Sequence, residues 1–348
     1  MVKELLKELV IVSKLGLPVT MIYLTEVGMA MIATIASGQY SSEDLAAVGL
    51  SNILYLTAMT FFLMTLSAVV PITSQLDGAG RKQEIGVLGR QGIILALCFS
   101  VVVILFVMGF RFFIDHLDFD PAISPIAREY LWIIAWIVPL DLLAALVVFL
   151  STGLGKTVWP SVIALSSLPI NALFTWIFVF GKFGMPEMGG AGCAVAIVAA
   201  VSFRFLVNLL LLSQTYFKQI RLFVFDQWVD RLHLQEIFKV GLPIGGQGIV
   251  MFAFLSAATI LIAYEGVAAL AAHQVGANVI MASFLFIHGL TIGTVIRTGN
   301  LVGENLHERL SVVSWAAITG SLISLSLVAC VILAVPQEIA GLYSKDPE

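Results

Sequence analysis

Gly16-Leu17-Pro18 is written again as Gly241-Leu242-Pro243, a shift of 225 residues. At the same shift Ala33-Thr34-Ile35 returns as Ala258-Thr259-Ile260, and Leu45-Ala46-Ala47 as Leu270-Ala271-Ala272. Phe61 meets Phe286, Thr73 meets Thr298, Leu76 meets Leu301 and Gly78 meets Gly303. A gapless register held from Gly16 to Gly80 marks a duplicated structural unit. What lies between the two copies decides what kind of unit it is.

Hydrophobic residues make up 59% and charged residues 11% of the 348 residues, with a mean hydropathy of +1.02. That excludes a soluble globular domain and points to a polytopic protein of the lipid bilayer. The formal charge of -4 carries little information about partners, since the charges sit at helix ends and loops, and no nucleic-acid partner is expected. Cys98, Cys193 and Cys330 each fall inside an apolar run without metal-ligand or CxxC spacing, so they read as packing residues. The first apolar run lacks a small-residue cleavage site and reads as a retained span, not a signal peptide.

Crossing a hydrocarbon core of about 30 Å takes roughly 20 helical residues. Nine segments qualify: 11–37, 45–73, 92–112, 127–150, 159–181, 191–214, 241–264, 269–296 and 311–335. Each is continuously apolar and about twice as long as a barrel strand, so the fold class is an all-α polytopic membrane protein. Placing the N-terminus in the cytoplasm puts thirteen Lys and Arg inside and four outside, with Arg204 left within the bilayer.

Six helices separate the two Gly-Leu-Pro copies, so both enter from the same side as parallel repeats. Residues 1–216 then form a first six-helix lobe, and 217–239, with Arg221, Asp226, Asp230, Arg231 and Glu236, a cytoplasmic connector. Residues 240–348 form the first half of a second lobe, and about three further helices are expected to complete it.

Enzyme signatures such as GxSxG, HExxH or a Walker loop are absent, and no metal site or cofactor is expected. Chemistry would instead rest on ionisable groups at depth, where a charge costs about 2.5–3.5 kcal/mol or more. Glu26 lies near the middle of the first span, without an evident basic partner, and suits a carrier of H⁺ or Na⁺. Asp141 and Arg204 lie at one depth on inward-running spans and can pair, either as a switchable or as a static ion pair.

Asn52, Tyr55, Met59 and Phe62 share one helical face, and Gln274, Asn278, Met281 and His288 another, on repeat-mate spans. Such faces suit an adaptable cavity for flat organic cations, although ordinary helix packing explains them equally. Asn171, just after Pro169, either bonds the backbone freed by the proline or joins a polar site facing the first span. The Gly181–Gly192 segment reads as a tight turn between spans.

Together with the doubled Gly-Leu-Pro, four stretches make the chain resemble the multidrug and toxic compound extrusion family in its bacterial cation-coupled branch. They are Pro71 followed by Gln75-Leu76-Asp77-Gly78-Ala79-Gly80, Trp176 to Gly184, Gly189-Gly190-Ala191-Gly192, and Ala271-Ala272-His273-Gln274-Val275. The resemblance covers the whole chain. It implies a twelve-helix monomer of the bacterial inner membrane, with two six-helix lobes around a cleft. Small organic cations would leave as H⁺ or Na⁺ enters, by alternating access. The family's usual acids in the first and seventh helices are replaced here by Ala33 and Met251, while Asn171 matches a polar position of the family. The alternatives are a lipid-precursor flippase of the same architecture, which would want a basic cleft, and an inactive or partial transporter; a membrane-embedded enzyme is the weakest.

Overall fold

The computed structural model describes residues 2–114, 122–212, 219–220, 222, 229–263 and 267–334. Among them there is no strand. The helices are α1 (Val2–Tyr40), α2 (Ser42–Leu66), α3 (Val69–Gly78), α4 (Lys82–Phe113), α5 (Ile123–Ala135), α6 (Val138–Gly153), α7 (Val158–Val179), α8 (Ala191–Leu211), α9 (Arg231–Ala263), α10 (Val267–Gly303) and α11 (Leu310–Ala334). Eight helical stretches among the described residues are long and apolar enough to cross a membrane, and α5 with α6 makes a ninth, bent by 50°. These are the nine expected segments, with two differences that matter for the site.

The first span does not begin at residue 11, nor its mate at 241. It runs back to Val2, and its mate runs back to Arg231, so Pro18 and Pro243 both lie inside long helices. The polar first turns are kept helical because they have tertiary partners, described below. The fourth span is broken at Trp136 and Ile137, ahead of Pro139. A proline cannot donate the ladder hydrogen bond and clashes with the preceding turn, so the helix restarts there. The break places Asp141 in the first turn of α6.

The first lobe packs as one apolar core. Leu66, Ile85, Leu88, Leu131, Ile134, Leu142 and Leu146 are fully or almost fully buried in it. The Gly181–Gly192 turn is tied down by Asp44, whose Oδ1 accepts from the Gly190 amide while Ser41 caps α2 by accepting from the Asp44 amide at 2.9 Å. Gly181, Gly184 and Gly189 there adopt φ of 61, 78 and 53°, a region that only glycine occupies without cost.

The lobes meet along a seam in which backbone touches backbone, and the repeat register reappears in its contacts. A Cβ on Gly16 would strike the Gly289 carbonyl and the Leu290 backbone; one on Gly241 would strike the Thr65 carbonyl. At the shift of 225, Gly241 is the mate of Gly16 and Leu290 the mate of Thr65. The same holds at the far end of the repeat. A Cβ on Gly78 would strike Asn300, and one on Gly303 would strike Gln75, the mate of Asn300. Duplication has therefore produced two equivalent crossings, α1 over α10 and α9 over α2, with the ends of α3 and α10 crossing between them. In lipid, where apolar burial does not favour helix over lipid, such close approach through small residues is what holds helices together.

Because the obstructing atoms are backbone, Gly16→Ala and Gly241→Ala should each lower stability by about 1–3 kcal/mol, the usual cost of overpacking. Gly49→Ala should cost nothing, since no atom lies within 4 Å of the added methyl. Thermal unfolding of the purified variants in detergent checks both.

Candidate functional site: an acid–guanidinium cluster in the first lobe

Four helices of the first lobe bring their one polar side chain at this level to a common point. Arg204 of α8 forms an ion pair through Nη1 with Glu26 Oε1 of α1, and its Nη2 lies 3.7 Å from Asp141 Oδ1 of α6. Tyr55 of α2 donates its hydroxyl to the other Asp141 oxygen at 2.9 Å. The arginine side chain is the most enclosed, at 12% exposed, against 24% for Asp141 and 47% for Glu26. Glu26 is thus the most exposed charged member of the cluster. Asp141 gains further from its place in the first turn of α6, where the exposed amide ends of the helix favour a negative charge.

This arrangement corrects the reading of Glu26 as an acid without a basic partner. Spacing along α1 gives its depth, and that depth is shared by Arg204; only the packing of the helices shows that the guanidinium turns to Glu26 first and reaches Asp141 second. The expected Asp141 and Arg204 neighbours are side by side, but as two edges of a three-residue cluster.

The helical face of Asn52, Tyr55, Met59 and Phe62 is in part a packing face. Tyr55 and Met59 are buried in the first-lobe core, and Phe62 packs on Phe99 with ring centroids 4.9 Å apart. Asn52 is partly buried. An apolar core offers a thioether and rings more contact than a wet cleft does. On the mate helix, Gln274, Asn278 and Met281 lie outside the described side chains. His288 is described, and it is bonded across the seam: its Nε2 lies 3.1 Å from the Tyr23 hydroxyl, and its ring stacks on Phe284. Asn171 is buried in α7, with its side-chain oxygen unbonded. Ala33 is buried against α8, and its carbonyl accepts from the Cys193 thiol at 3.7 Å. Position 33 is therefore closed by packing.

Two polar ties at the ends of the first helices of each lobe escape sequence reading. Glu8 of α1 takes both Arg297 nitrogens of α10, at 2.7 and 2.8 Å, with its side chain only 5% exposed. At the mate position of Glu8 stands His233 of α9, whose Nδ1 lies 3.0 Å from Asp230 and whose Nε2 lies 3.9 Å from Glu84 of the first lobe. Burial acts to raise the Asp230 carboxyl, but hydrogen bonds from His233 and from the amides of His233 and Leu232 hold it below the ordinary aspartate value. Glu8 and His233 share a register, but their partners do not: the mate of Arg297 is Ile72 and that of Glu84 is Arg309, so the repeat gives no signal for these ties.

If the cluster is a mutual neutralisation, Arg204→Leu should destabilise the protein, and Glu26→Gln with Asp141→Asn in the same chain should restore part of the loss. Coupling energies of about 0.5–3 kcal/mol, read from thermal unfolding of single and combined variants, are the expected result.

The MatE family model matches residues 18–177 and 243–348 of this chain. Among curated relatives, the Multidrug resistance protein NorM of Photobacterium profundum is 30% identical over 336 residues, covering 96% of this chain and 74% of its own length. NorM of Aliivibrio fischeri is 29% identical over 344 residues, covering 98% and 75%, and MdtK of Yersinia pestis is 30% identical over 339 residues, covering 96% and 74%. Among solved structures, the outward-facing conformation of a multidrug resistance MATE family transporter superposes with a TM-score of 0.87 at 18% identity over 97% of this chain and 74% of that one. A MOP superfamily transporter from Pyrococcus furiosus gives 0.86 at 19% identity, over 98% and 75%. At such identity these two speak for the fold alone. With a matched model over most of its length, relatives at 30% identity, and the paired helical lobes described above, this chain belongs to the MatE family, the multidrug and toxic compound extrusion transporters, in its bacterial branch.

Proposed function

We propose that this protein is a secondary-active exporter, carrying small organic cations out of the cell in exchange for entering H⁺ or Na⁺ by alternating access. The relatives' names as multidrug resistance proteins support the cargo class. One observation carries the mechanism: Glu26, a half-exposed carboxylate on the helix whose N-terminal half forms the seam between lobes, is held by the guanidinium of Arg204 on α8.

That helix ties two events together. Gly16, Tyr23 and Glu8 of α1 engage α10 of the second lobe, while Glu26 engages α8 of the first. A cation or proton that neutralises Glu26 loosens α1 from α8 and so biases the crossing a few turns away. An equilibrium between two lobe arrangements can be shifted only by such differential binding. The close approaches named above cluster towards the N-terminal end of α1, which the distribution of Lys and Arg assigns to the cytoplasm. In this reading 1–216 moves as the first lobe, 217–239 is the connector and 240–348 belongs to the second. The protein works as a monomer in the inner membrane.

Cells producing the full-length protein should accumulate less ethidium, a flat organic cation, than cells without it. Glu26→Gln should abolish that difference while leaving the protein level in the membrane near wild type. Unchanged efflux in Glu26→Gln would remove Glu26 from the coupling, and no efflux by the wild type would remove the export reading.

A further inference from the structure

We propose that Arg204 decides the coupling ion: it fills the cation position between Glu26 and Asp141, so that the cluster takes up protons and excludes Na⁺. The inference rests on the exporter reading above and narrows its driving ion.

The argument is one of free oxygens. Glu26 and Asp141 together carry four carboxylate oxygens. Glu26 Oε1 and Asp141 Oδ1 face the Arg204 guanidinium, and Asp141 Oδ2 accepts from the Tyr55 hydroxyl at 2.9 Å. That leaves Glu26 Oε2 as the carboxylate oxygen without a named partner. A hard cation that sheds its water needs several oxygen ligands at once. A proton needs one, and the half-exposed Glu26 offers it.

Charge points the same way. Two ionised acids and one guanidinium leave a single negative charge, which one proton on Glu26 cancels. A sodium ion would also cancel it on paper, but only by sitting against a buried guanidinium of the same sign. Like charges a few ångströms apart in a site of low dielectric repel strongly. An arginine cannot yield by losing its own proton.

No neighbouring group relieves that repulsion. The titratable side chains facing the cluster are Tyr23 of α1, Tyr55 of α2 and, beyond these two, Tyr130 of α5 and His288 of α10, whose Nε2 lies 3.1 Å from the Tyr23 hydroxyl. The three tyrosines are neutral phenols in the ordinary range of pH, and a protonated His288 would add positive charge, which does not admit Na⁺. Among the described residues, no group of three or more His, Cys, Asp and Glu converges as a metal site would require. Protonation of Glu26 has a mechanical consequence: the carboxyl loses its charge towards Arg204, the guanidinium falls back on Asp141, and α1 is released from α8.

The test is purified full-length protein in liposomes loaded with ethidium. Release is driven either by a pH gradient with choline replacing all Na⁺, or by a Na⁺ gradient at one pH. The wild type should respond to the pH gradient and at least about tenfold less to Na⁺. Arg204→Leu, which frees the two carboxylates, should gain a Na⁺-driven rate about tenfold above that of the wild type; Arg204→Lys, which keeps the charge, should not. Wild-type release driven equally by Na⁺ would overturn the proposal. So would an Arg204→Leu protein that is still pH-driven but indifferent to Na⁺. Should Arg204→Leu fail to fold, wild-type thermal stability decides: it should shift with pH and stay unchanged when Na⁺ replaces choline, and stabilisation by Na⁺ defeats the proposal. Release under neither gradient overturns the exporter reading, a result distinct from release driven by the wrong ion.

Discussion

The structure depends on backbone meeting backbone across the seam, above all at four glycines related in pairs by the repeat. Gly16, Gly241, Gly78 and Gly303 each bring a helix of one lobe within touching distance of main-chain atoms of the other. A helix with side chains at these points would stand several ångströms further off. Since each contact is the image of another under the same shift of 225, the duplicated stretch is its own partner across the seam. Two-fold interfaces reuse one patch on both sides in this way, and a gene duplication supplies such a patch ready matched. Polar ties then close the ends of the seam, Glu8 with Arg297 at one crossing and His233 with Glu84 near the other.

Symmetry in packing does not extend to charge. Glu8 and His233 are mates of opposite character, as are Glu84 and Arg309, and Glu26 has Met251 for its mate. The cores and crossings must match for both lobes to fold alike, whereas a charge at depth is retained only where it acts or is neutralised. The acid cluster meets the second condition within the first lobe. Breaking a buried pair leaves a charge uncompensated and costs several kcal/mol, so Glu26, Asp141, Arg204 and Tyr55 are bound into one unit. Its least enclosed member, Glu26, is the one on the helix that also forms the seam.

Much of this was legible beforehand. Hydropathy located nine spans, because a run of about 20 apolar residues has no other comfortable solution in water or lipid. The repeat gave the parallel lobes, and the rarity of charges at depth singled out Glu26, Asp141 and Arg204. Three things were not legible. The bend at Trp136–Ile137, which sets Asp141 at a helix start, looks like continuous apolar sequence. Glu8 and His233 sit in charged flanks that resemble any solvated helix end. The face of Tyr55 and Met59 has a period that suits a core and a cavity equally.

The sequence by itself determined that the chain is a duplicated bundle of membrane-crossing helices, since period, length and repeat are properties of one dimension. It also determined how deep each charge lies, because rise per residue converts number into height. Which charges touch was decided only by tertiary structure. Height says nothing about which helix stands beside which or which face it turns, and those depend on how closely glycine allows neighbouring backbones to approach. That is why Glu26, the one acid within the 11–37 span, proved to be the first partner of Arg204.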